Sequence, residues 1–450
     1  MKYDFRILLA LLLALALVAL SGCGGGPSEP VATEAPAVTE EATATEEPAT
    51  TEEATAAETE GSESSDGAAT EGGEEEAAAE PAATKKPLNE DSSVSTTTVD
   101  DYGWTSLACG YDYVMALQSD GRLCGWGRNN YGQVGSGTYK EPEVRAVQPV
   151  LENITDISTG EYHSCAICTD GQMYIWGNNH SGRLGDGTTG GRTTPTLNTT
   201  LVATGEKIVQ IAPGTSSTFA IAADGTLYAF GSNNKGQLGS ANKEELTPVA
   251  VLEDVANVWS EGEFSVAIKT DGTIWATGNN KRGQLGTGDT EARKEWTQIT
   301  SISDVASFAL GEEFSLALKN DGTLWAVGNN KNGQLGIGSD EKSITEWTQV
   351  AQDVAFAFAG TETGGMVKTD GTLWMWGCNK FGQVGDGTTE NRFSPVQIME
   401  GAKMADGGVS HTAALKADGS IWVWGSNQYY QLCDGTRVNS TTPKMVVTND

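Results

Sequence analysis

The sequence is poor in histidine and in positive charge. It has 3 histidines, and its 28 Lys and Arg residues face 60 Asp and Glu residues, so the formal net charge is −32. So acidic a chain is a poor partner for nucleic acid or anionic lipid, whose phosphates it would repel. The chain also lacks sustained helical periodicity and a G-x-x-x-x-G-K-[ST] phosphate-binding loop. These shortages disfavour a helical fold, a nucleotide-binding enzyme and a nucleic-acid-binding protein.

Long apolar runs are scarce, and the main one lies near the start of the chain. Ile7–Leu20 follows the positive residues Lys2 and Arg6; it is short for a membrane span and typical of a signal peptide. The segment then ends in Ser21-Gly22-Cys23, which resembles a bacterial lipobox. We expect residues 1–22 to be a lipoprotein signal peptide and Cys23 to carry the membrane-anchoring lipid. The alternative is an ordinary signal peptide with an incidental cysteine.

The next segment, residues 23–98, lacks large apolar residues almost entirely. From residue 27 to 98 it is built from Glu, Thr, Ala and Pro, with 19 acidic and 2 basic residues. Such a composition buries too little apolar surface to offset the entropy of ordering, and like charges keep it extended. We expect a disordered acidic linker that holds residues 99–450 away from a membrane.

Residues 99–450 contain seven copies of one unit. The clearest mark is the dipeptide Asp-Gly, whose copies are spaced by 50, 54, 47, 50, 49 and 48 residues. The aspartates of these dipeptides are Asp120, Asp170, Asp224, Asp271, Asp321, Asp370 and Asp418. A period near 50 residues is typical of propellers and solenoids.

Each unit predicts about four short strands. β-prone runs flank Asp-Gly, which suits the positive φ values of a type I′ hairpin. Trp-Gly or an equivalent ends the second strand, and an Asn-rich turn leads into Gly-Gln-Leu-Gly, whose leucine should be buried within the turn. After a variable loop, a last strand often begins with a proline, which an edge strand tolerates. These prolines are Pro149, Pro195, Pro248, Pro395 and Pro443. Seven such sheets arranged radially would bury their faces against one another.

The combined motif resembles the regulator of chromosome condensation repeat, from residue 104 to 447. The second copy, with Gly160, His163, Asp170-Gly171 and Trp176-Gly177, matches well. The resemblance implies an all-β fold, a seven-bladed β-propeller. The last copy reads Tyr430-Gln431-Leu432-Cys433, so two turn glycines are replaced. Whether the start near Trp104 or the tail Met445–Val447 closes the ring stays open.

Candidate chemical sites are few. The histidine position of the repeat also holds Tyr, Ser, Phe and Thr, which predicts packing rather than catalysis. Cys165 and Cys168 form a C-x-x-C, but residues three apart on a strand point to opposite faces. Six cysteines outside the lipobox permit three disulfides or free thiols. Asp-Gly-Thr at Asp186, Asp386 and Asp434 lacks the ligand series of a calcium loop and predicts turns. We expect no metal, no cofactor and no enzymatic activity.

The variable loops carry a basic residue in every unit. These residues are Arg145, Arg192, Lys243, Arg293, Lys342, Arg392 and Arg437. Equivalent loops of a propeller lie on one face, so the seven could form a positive ring for an acidic partner, with Tyr139 beside them. The alternative is a structural pairing with aspartates such as Asp186 or Asp386. Trp296 and Trp347, in matching EWTQ segments, are better explained by strand packing than by an interface.

Together these patterns predict a monomeric binding module on the bacterial cell envelope. Its propeller loops would contact an extracellular protein or a cell-wall component, with lipid as the only membrane contact. The family resemblance adds two alternatives. One is a secreted inhibitor of an extracellular enzyme, as in a β-lactamase inhibitor with this propeller. The other is guanine-nucleotide exchange, which the expected export from the cytosol disfavours.

Overall fold

The computed structural model describes residues 103–139 and 143–446, and these residues form a seven-bladed β-propeller. The predicted signal peptide, Cys23 and the predicted linker of residues 23–98 lie outside the described residues. Each blade is a four-stranded antiparallel sheet of consecutive strands. Within the described ranges, no helix is both long enough and apolar enough to cross a membrane.

The strands of blades 1 to 4 follow one another in chain order. Blade 1 contains β1 (Trp104–Cys109), β2 (Tyr113–Gln118), β3 (Leu123–Arg128) and β4 (Glu143–Leu151). Blade 2 contains β5 (Ile154–Thr159), β6 (His163–Cys168), β7 (Met173–Gly177) and β8 (Arg192–Leu197). Blade 3 contains β9 (Ile208–Pro213), β10 (Ser217–Ala222), β11 (Leu227–Ser232) and β12 (Glu244–Leu252). Blade 4 contains β13 (Val255–Glu261), β14 (Phe264–Lys269), β15 (Ile274–Gly278) and β16 (Arg293–Ile299).

Blades 5 to 7 repeat the arrangement. Blade 5 contains β17 (Val305–Leu310), β18 (Phe314–Lys319), β19 (Leu324–Asn329) and β20 (Ser343–Ala351). Blade 6 contains β21 (Val354–Ala359), β22 (Thr363–Lys368), β23 (Leu373–Gly377) and β24 (Arg392–Met399). Blade 7 contains β25 (Ala402–Gly407), β26 (His411–Lys416), β27 (Ile421–Gly425) and β28 (Ser440–Met445). A 3₁₀ turn, His180–Gly182, and a one-turn helix α1, Thr199–Val202, complete the elements.

The core lies between neighbouring sheets, which explains why the second strand of each blade is almost wholly buried. All six residues of β2 are buried, and β10 is the same. In the outermost strands, such as β4, most residues are half-buried or exposed because these strands lie at the free edge of each blade. Large rings at the sheet interfaces, such as Trp126, Trp176 and Trp424, are fully buried. Burial of these faces at about 25 cal/mol per Å² stabilises the ring.

The ring is closed by packing between the first and last blades. β1 packs against β25 and β26, and one apolar cluster contains residues of blades 7, 1 and 2. The Cys109 N–H donates to Asp406 Oδ2 at 2.8 Å, and the Trp126 indole N–H donates to the Gln431 carbonyl at 3.0 Å. The described tail ends at Val446. Among the described residues, β1 and β28 each pair within their own blade, so neither end supplies a strand to the other's sheet.

The Asp-Gly hairpins differ from the predicted type I′ geometry. In the first, Gly121 has φ of 86°, whereas Asp120 is absent from the described non-glycine residues with positive φ. The Gly121 N–H donates to the Gln118 carbonyl, and the Gln118 N–H donates to the Arg122 carbonyl. This is a three-residue loop with a type I turn followed by a left-handed glycine. Asp120 instead accepts the Arg122 N–H through its side chain.

The prolines also lie elsewhere than expected. They are inside the outermost strands rather than at their first residues: Pro149 is the seventh residue of β4, and Pro195 is the fourth of β8. The position is tolerated because these strands form the free edge of each blade. In β4 the proline pairs with Cys124 at a register shift, where a ladder hydrogen bond is already missing.

Candidate functional site

Buried asparagines shape one face of the propeller. The Asn129 side-chain oxygen accepts the Val134 N–H at 3.0 Å, and the same bond recurs in all seven blades. The leucine or valine that donates is buried in every copy, as predicted. The end of each third strand also donates to the turn between the first two strands, as Arg128 N does to the Asp112 carbonyl. Both sets of turns therefore lie on the same side of the ring, which we call the channel face.

The seven predicted basic residues occupy equivalent places near the start of the outermost strand of each blade. Four of them are ion-paired. Arg192 lies 2.6 Å from Asp186, Arg293 lies 2.7 Å from Asp289, Arg392 lies 2.5 Å from Asp386, and Arg437 lies 2.6 Å from Glu143. Arg192 and Arg392 thus bind the aspartates that the structural alternative named.

The other three basic residues differ in their surroundings. Arg145 stacks on the Tyr430 ring at 4.8 Å, whereas Lys243 and Lys342 are exposed. Tyr139 is 51% exposed in the adjoining loop of blade 1. The set therefore forms a largely ion-paired outer rim, and its role in binding stays a prediction.

The remaining sequence candidates take structural positions. The side chains at the histidine position are buried in all seven blades, as expected for packing. His163 Nε2 contacts Thr218 Oγ1 at 2.8 Å, and burial lowers the pKa of His163 well below its usual value. The six cysteines of the described residues are free thiols. Asp186 accepts the Thr188 N–H within its turn. No group of metal-binding side chains occurs among the described residues.

The two EWTQ tryptophans replace indoles that the third strand lacks. In most blades a tryptophan or phenylalanine of the third strand covers the last turn glycine of the preceding blade, as Trp176 covers Gly135. Blades 4 and 5 have Thr277 and Val327 at that position, and there Trp296 and Trp347 cover the glycine instead. The Trp296 N–H donates to the Leu238 carbonyl at 3.2 Å. Packing, as predicted, is their role.

A cluster of tyrosines around one arginine, on the channel face, was not predicted. The Arg128 guanidinium lies 4.6 Å from the centre of the Tyr429 ring, 5.5 Å from Tyr162 and 5.9 Å from Tyr111. Tyr111 and Tyr162 stack at 5.0 Å, and Tyr131 meets Tyr162 edge-on at 5.2 Å. We call Tyr111, Arg128, Tyr131, Tyr162 and Tyr429 the tyrosine cluster. Its rings come from blades 7, 1 and 2.

A buried carboxylate fixes the arginine at the centre of this cluster. Arg128 Nη1 lies 3.2 Å from Asp112 Oδ2, and Asp112 is only 4% exposed. Desolvation raises the pKa of Asp112, although Arg128 acts in the opposite direction. Gln431 Nε2 also donates to Asp112 at 3.2 Å. The tyrosine rings are partly exposed, and Tyr131 is 38% exposed, so a rigid base presents accessible aromatic surface.

Elsewhere on the channel face, the positions equivalent to Tyr131 and Tyr162 hold a basic and an acidic residue that form an ion pair. Tyr131 is the residue before the turn glycine, and its counterparts in blades 3 and 4 are Lys235 and Arg282. Lys235 lies 3.5 Å from Glu263, and Arg282 lies 3.3 Å from Glu313, each on the next blade. Comparing these positions between repeats is the sequence signal that would have revealed the tyrosine cluster.

Carboxylates also line the central channel. The cavity there has a volume of about 30 Å³, and its lining includes Glu161 and Glu261. Thr215 Oγ1 lies 3.4 Å from Glu161 Oε1 and 3.3 Å from Glu261 Oε1. Burial, reinforced by neighbouring carboxylates, raises the pKa of Glu161 to about 7 and that of Glu261 to about 8. Desolvation raises the pKa of Asp406 to about 7.

Family models match most of the chain. The model described as "RCC1-like domain" matches residues 58–364, and two models of the "Regulator of chromosome condensation (RCC1) repeat" match residues 370–415 and 406–431. The similar curated proteins are much longer. A human probable E3 ubiquitin-protein ligase, HERC4, is 30% identical over 168 residues, which cover 36% of this chain and 16% of that protein. The Caenorhabditis elegans X-linked retinitis pigmentosa GTPase regulator homolog is 27% identical over 140 residues, 30% of this chain and 10% of that one.

Solved structures share the fold. Yeast RCC1 (Prp20), in its complex with Kap60, superposes with a TM-score of 0.66 at 20% identity, covering 81% of this chain and 91% of that chain. Human WBSCR16 superposes with a TM-score of 0.64 at 19% identity, covering 73% of this chain and 94% of that chain. At these identities the likeness concerns architecture alone. The chain spans about a sixth of the length of the first curated relatives that it matches.

Proposed function

This chain belongs to the family of RCC1-like domains, and from that premise we propose that its propeller is a non-catalytic module that binds a protein partner through the channel face. The tyrosine cluster carries the proposal. Tyrosine and arginine are enriched among the residues that dominate protein interfaces. Tyrosine also supplies a large contact area with few rotatable bonds, so little entropy is lost on binding.

The rigidity of the cluster supports this assignment. Arg128 stacks on three tyrosine rings and is tied to Asp112, so the rings are held before a partner arrives. A pre-formed surface avoids the ordering cost that flexible side chains incur on association. The predicted outer rim suits this task less, because four of its seven cations already contact carboxylates. We therefore place the principal contact with the partner at the tyrosine cluster. The basic residues of the outer rim would lie at the border of that contact.

A non-catalytic role is supported by the state of the two histidines that occupy the repeat position. His163 and His411 are buried, and burial lowers the pKa of His411 to about 4. A neutral, inaccessible imidazole cannot exchange protons with a substrate. The ligase activity named for the human relative is not extended to this chain, which matches 16% of that protein. Guanine-nucleotide exchange and enzyme inhibition remain alternatives from family resemblance, with no residue arrangement that favours either.

The cellular setting is part of the proposal and rests on the sequence. With residues 1–22 as a lipoprotein signal peptide, Cys23 would be lipidated at the membrane, and residues 23–98 would link it to the propeller. The partner would then be a protein on the extracytoplasmic side of a bacterial envelope. A mature protein that lacks an acylated Cys23 by mass spectrometry would remove this part of the proposal and leave the binding face unaffected.

The test uses the full chain as bait for envelope and secreted proteins, with two double variants. The first, Tyr131→Ala with Tyr162→Ala, removes exposed rings of the cluster. The matched control, Lys235→Ala with Glu263→Ala, removes the exposed pair from equivalent positions of blades 3 and 4. We expect one saturable partner whose capture falls at least tenfold in the first variant and less than twofold in the second. Thermal unfolding of both variants checks that they are folded.

Other outcomes separate the competing ideas. Equal capture by both variants would overturn the assignment of the cluster. Loss only on charge reversal of Arg192, Arg293 and Arg392 would move the site to the outer rim. If the captured partner is an enzyme and the propeller lowers its turnover, the inhibitor alternative replaces the scaffold role. Retention of cell-wall polysaccharide alone would refute a protein partner.

A further inference from the structure

A second candidate site lies between blades 4 and 5, beside the Asp-Gly hairpin of blade 5, which Lys319 and Trp325 flank. The repeat is interrupted there. Blade 4 connects to blade 5 through five residues, 300–304. Two residues suffice at four other junctions (152–153, 253–254, 352–353 and 400–401), and a longer connection, 198–207 with α1, joins blades 2 and 3. In blades 1, 3, 5 and 6, the pairing between the third and the outermost strand has a register shift after the first residue of the third strand. The pairing of β15 with β16 lacks this shift. The outer strand therefore ends early, and the chain forms a longer loop.

This loop leaves a groove of about 230 Å³. Two half-buried indoles, Trp325 and Trp347, contribute to its lining. Lys319, Glu346 and Ser303 add a cation, a carboxylate and a hydroxyl. The groove thus combines aromatic surface with donors and acceptors at its border.

The Trp325 ring is held in a fixed orientation. Its indole N–H donates to Thr323 Oγ1 at 2.9 Å, and that hydroxyl contacts Asp321 Oδ1 at 2.6 Å. Lys319 Nζ lies 5.8 Å from the ring centre. Blade 6 repeats this arrangement with Trp374, Thr372 and Lys368. What distinguishes Trp325 is therefore the longer loop that faces it, rather than its own strand contacts.

We propose that this groove binds one pyranose ring of a neutral saccharide. A sugar presents C–H groups on one face, which pack on an indole, and hydroxyl groups at its rim, which pair with carboxylates, ammonium groups and hydroxyls. The volume is below the roughly 300–1,000 Å³ of pockets for drug-sized ligands, which limits the occupant to a single ring. Glu346 accepts from sugar hydroxyls, and Lys319 donates to them. The proposal is independent of the channel face and its partner.

The experiment titrates the full chain with methyl β-D-glucopyranoside and measures saturation transfer to the glycoside by NMR. We expect binding with a dissociation constant of about 1–10 mM, as suits so small a ligand. Trp325→Ala should weaken binding at least tenfold, and Glu346→Ala, at an exposed position, at least threefold. Trp374→Ala is the matched control and should leave binding unchanged. Labelling with 5-fluorotryptophan should show the glycoside-dependent shift at the resonance that Trp325→Phe removes.

The proposal fails if no saturation transfer occurs at tens of millimolar glycoside. It also fails if Trp325→Ala and Trp374→Ala reduce binding equally, because the groove would then have no special role. If tyrosinamide displaces the glycoside and binds more tightly with the same dependence on Trp325, the occupant is an aromatic peptide side chain and the saccharide assignment is wrong. Glu346→Ala keeps the test decisive should Trp325→Ala prove unfolded.

Discussion

The six junctions between consecutive blades differ from the seventh, where the last blade meets the first. At each of the six, the first glycine of the Gly-Gln-Leu-Gly turn has positive φ and lies against the outermost strand of the next blade. These glycines are Gly132, Gly182, Gly236, Gly283, Gly333 and Gly382. A Cβ on Gly333 would lie 2.6 Å from the Arg392 carbonyl oxygen. At the seventh junction the position is Tyr430, with φ of 63°.

Side chains fill the place of that backbone contact at the closing junction. Arg145 and Arg437 lie 4.8 and 5.1 Å from the centre of the Tyr430 ring, and Arg437 contacts both oxygens of Glu143 at 2.6 and 2.7 Å. Consecutive blades are held in register by the chain that joins them, so a close backbone contact is reliable there. The ends of the ring have no such connection, and adaptable long side chains join them instead.

Gly333→Ala should produce the largest effect, by placing a Cβ where the internal junction has no room for one. A left-handed non-glycine residue costs about 1–2 kcal/mol, and forced displacement of packed backbone costs about 1–3 kcal/mol more. We expect a loss of about 2–5 kcal/mol in the free energy of unfolding, measured by urea denaturation of the full chain.

Tyr430→Ala is the matched change at the closing junction. The backbone keeps its φ, and only stacking with two arginines is lost, so we expect a loss of about 1 kcal/mol. Equal losses in the two variants would show that the closing junction is as tightly packed as the others and would refute the comparison.

The second contrast concerns ion pairs on the channel face. Arg128→Ala leaves the buried Asp112 carboxylate at the closing junction without its cation, and breaking such a pair is strongly destabilising. With Gln431 still donating to Asp112, we expect a loss of about 2–3 kcal/mol by thermal or urea unfolding. Lys235→Ala breaks an exposed pair between blades 3 and 4 and should change stability by less than about 0.5 kcal/mol. A loss above 1 kcal/mol in Lys235→Ala would remove the distinction.

The repeated features could be predicted because the same sequence pattern recurs in every copy. The Asp-Gly period, the buried leucine and the packing role of the histidine position depend on neighbours within one repeat or the next. The turn type was wrong because two-residue and three-residue hairpins both use Asp-Gly, and the strand pairing that separates them is not visible locally. The proline position was wrong for a related reason, since the register shift in β4 is set by its partner strand.

The tyrosine cluster was missed because it is not a repeated feature. Arg128 and Tyr429 are about 300 positions apart and meet only once the ring closes. The basic residues recur in every blade, but a single-residue pattern cannot show that a loop aspartate such as Asp289 already contacts the arginine four residues later. Both proposed binding surfaces therefore lie at departures from the repeat, namely the tyrosine cluster and the loop of residues 300–304.

The central channel provides the smallest contrast. At the closing junction, Asp406 accepts N–H groups from Cys109 and Gly407, whereas Glu261 of blade 4 shares the Thr215 hydroxyl with another carboxylate, Glu161. Burial raises the pKa of Glu261 to about 8, well above the 4.3 or so of an unfolded glutamate. The folded protein thus holds a proton that the unfolded chain releases. The stabilisation that comes from the protonated Glu261 is full below the unfolded pKa, at about pH 4, and is lost as the pH rises through the folded pKa of about 8.

Glu261→Gln mimics the protonated carboxyl at every pH, and it should therefore flatten this pH dependence. We expect the stability advantage of the variant over the parent to be larger at pH 9 than at pH 5 by at least about 2 kcal/mol, by urea unfolding at both values. Glu263→Gln, in the same turn but paired at the surface with Lys235, is the control and should leave the pH profile unchanged. A parent protein whose stability rises between pH 5 and pH 9 would contradict the channel assignment. If Glu261→Gln flattens the pH profile and Glu263→Gln does not, the pH dependence comes from the burial of Glu261 of blade 4 and its repulsion by Glu161 of blade 2. Asp406 at the closing junction, which two backbone N–H groups hold, would then contribute less.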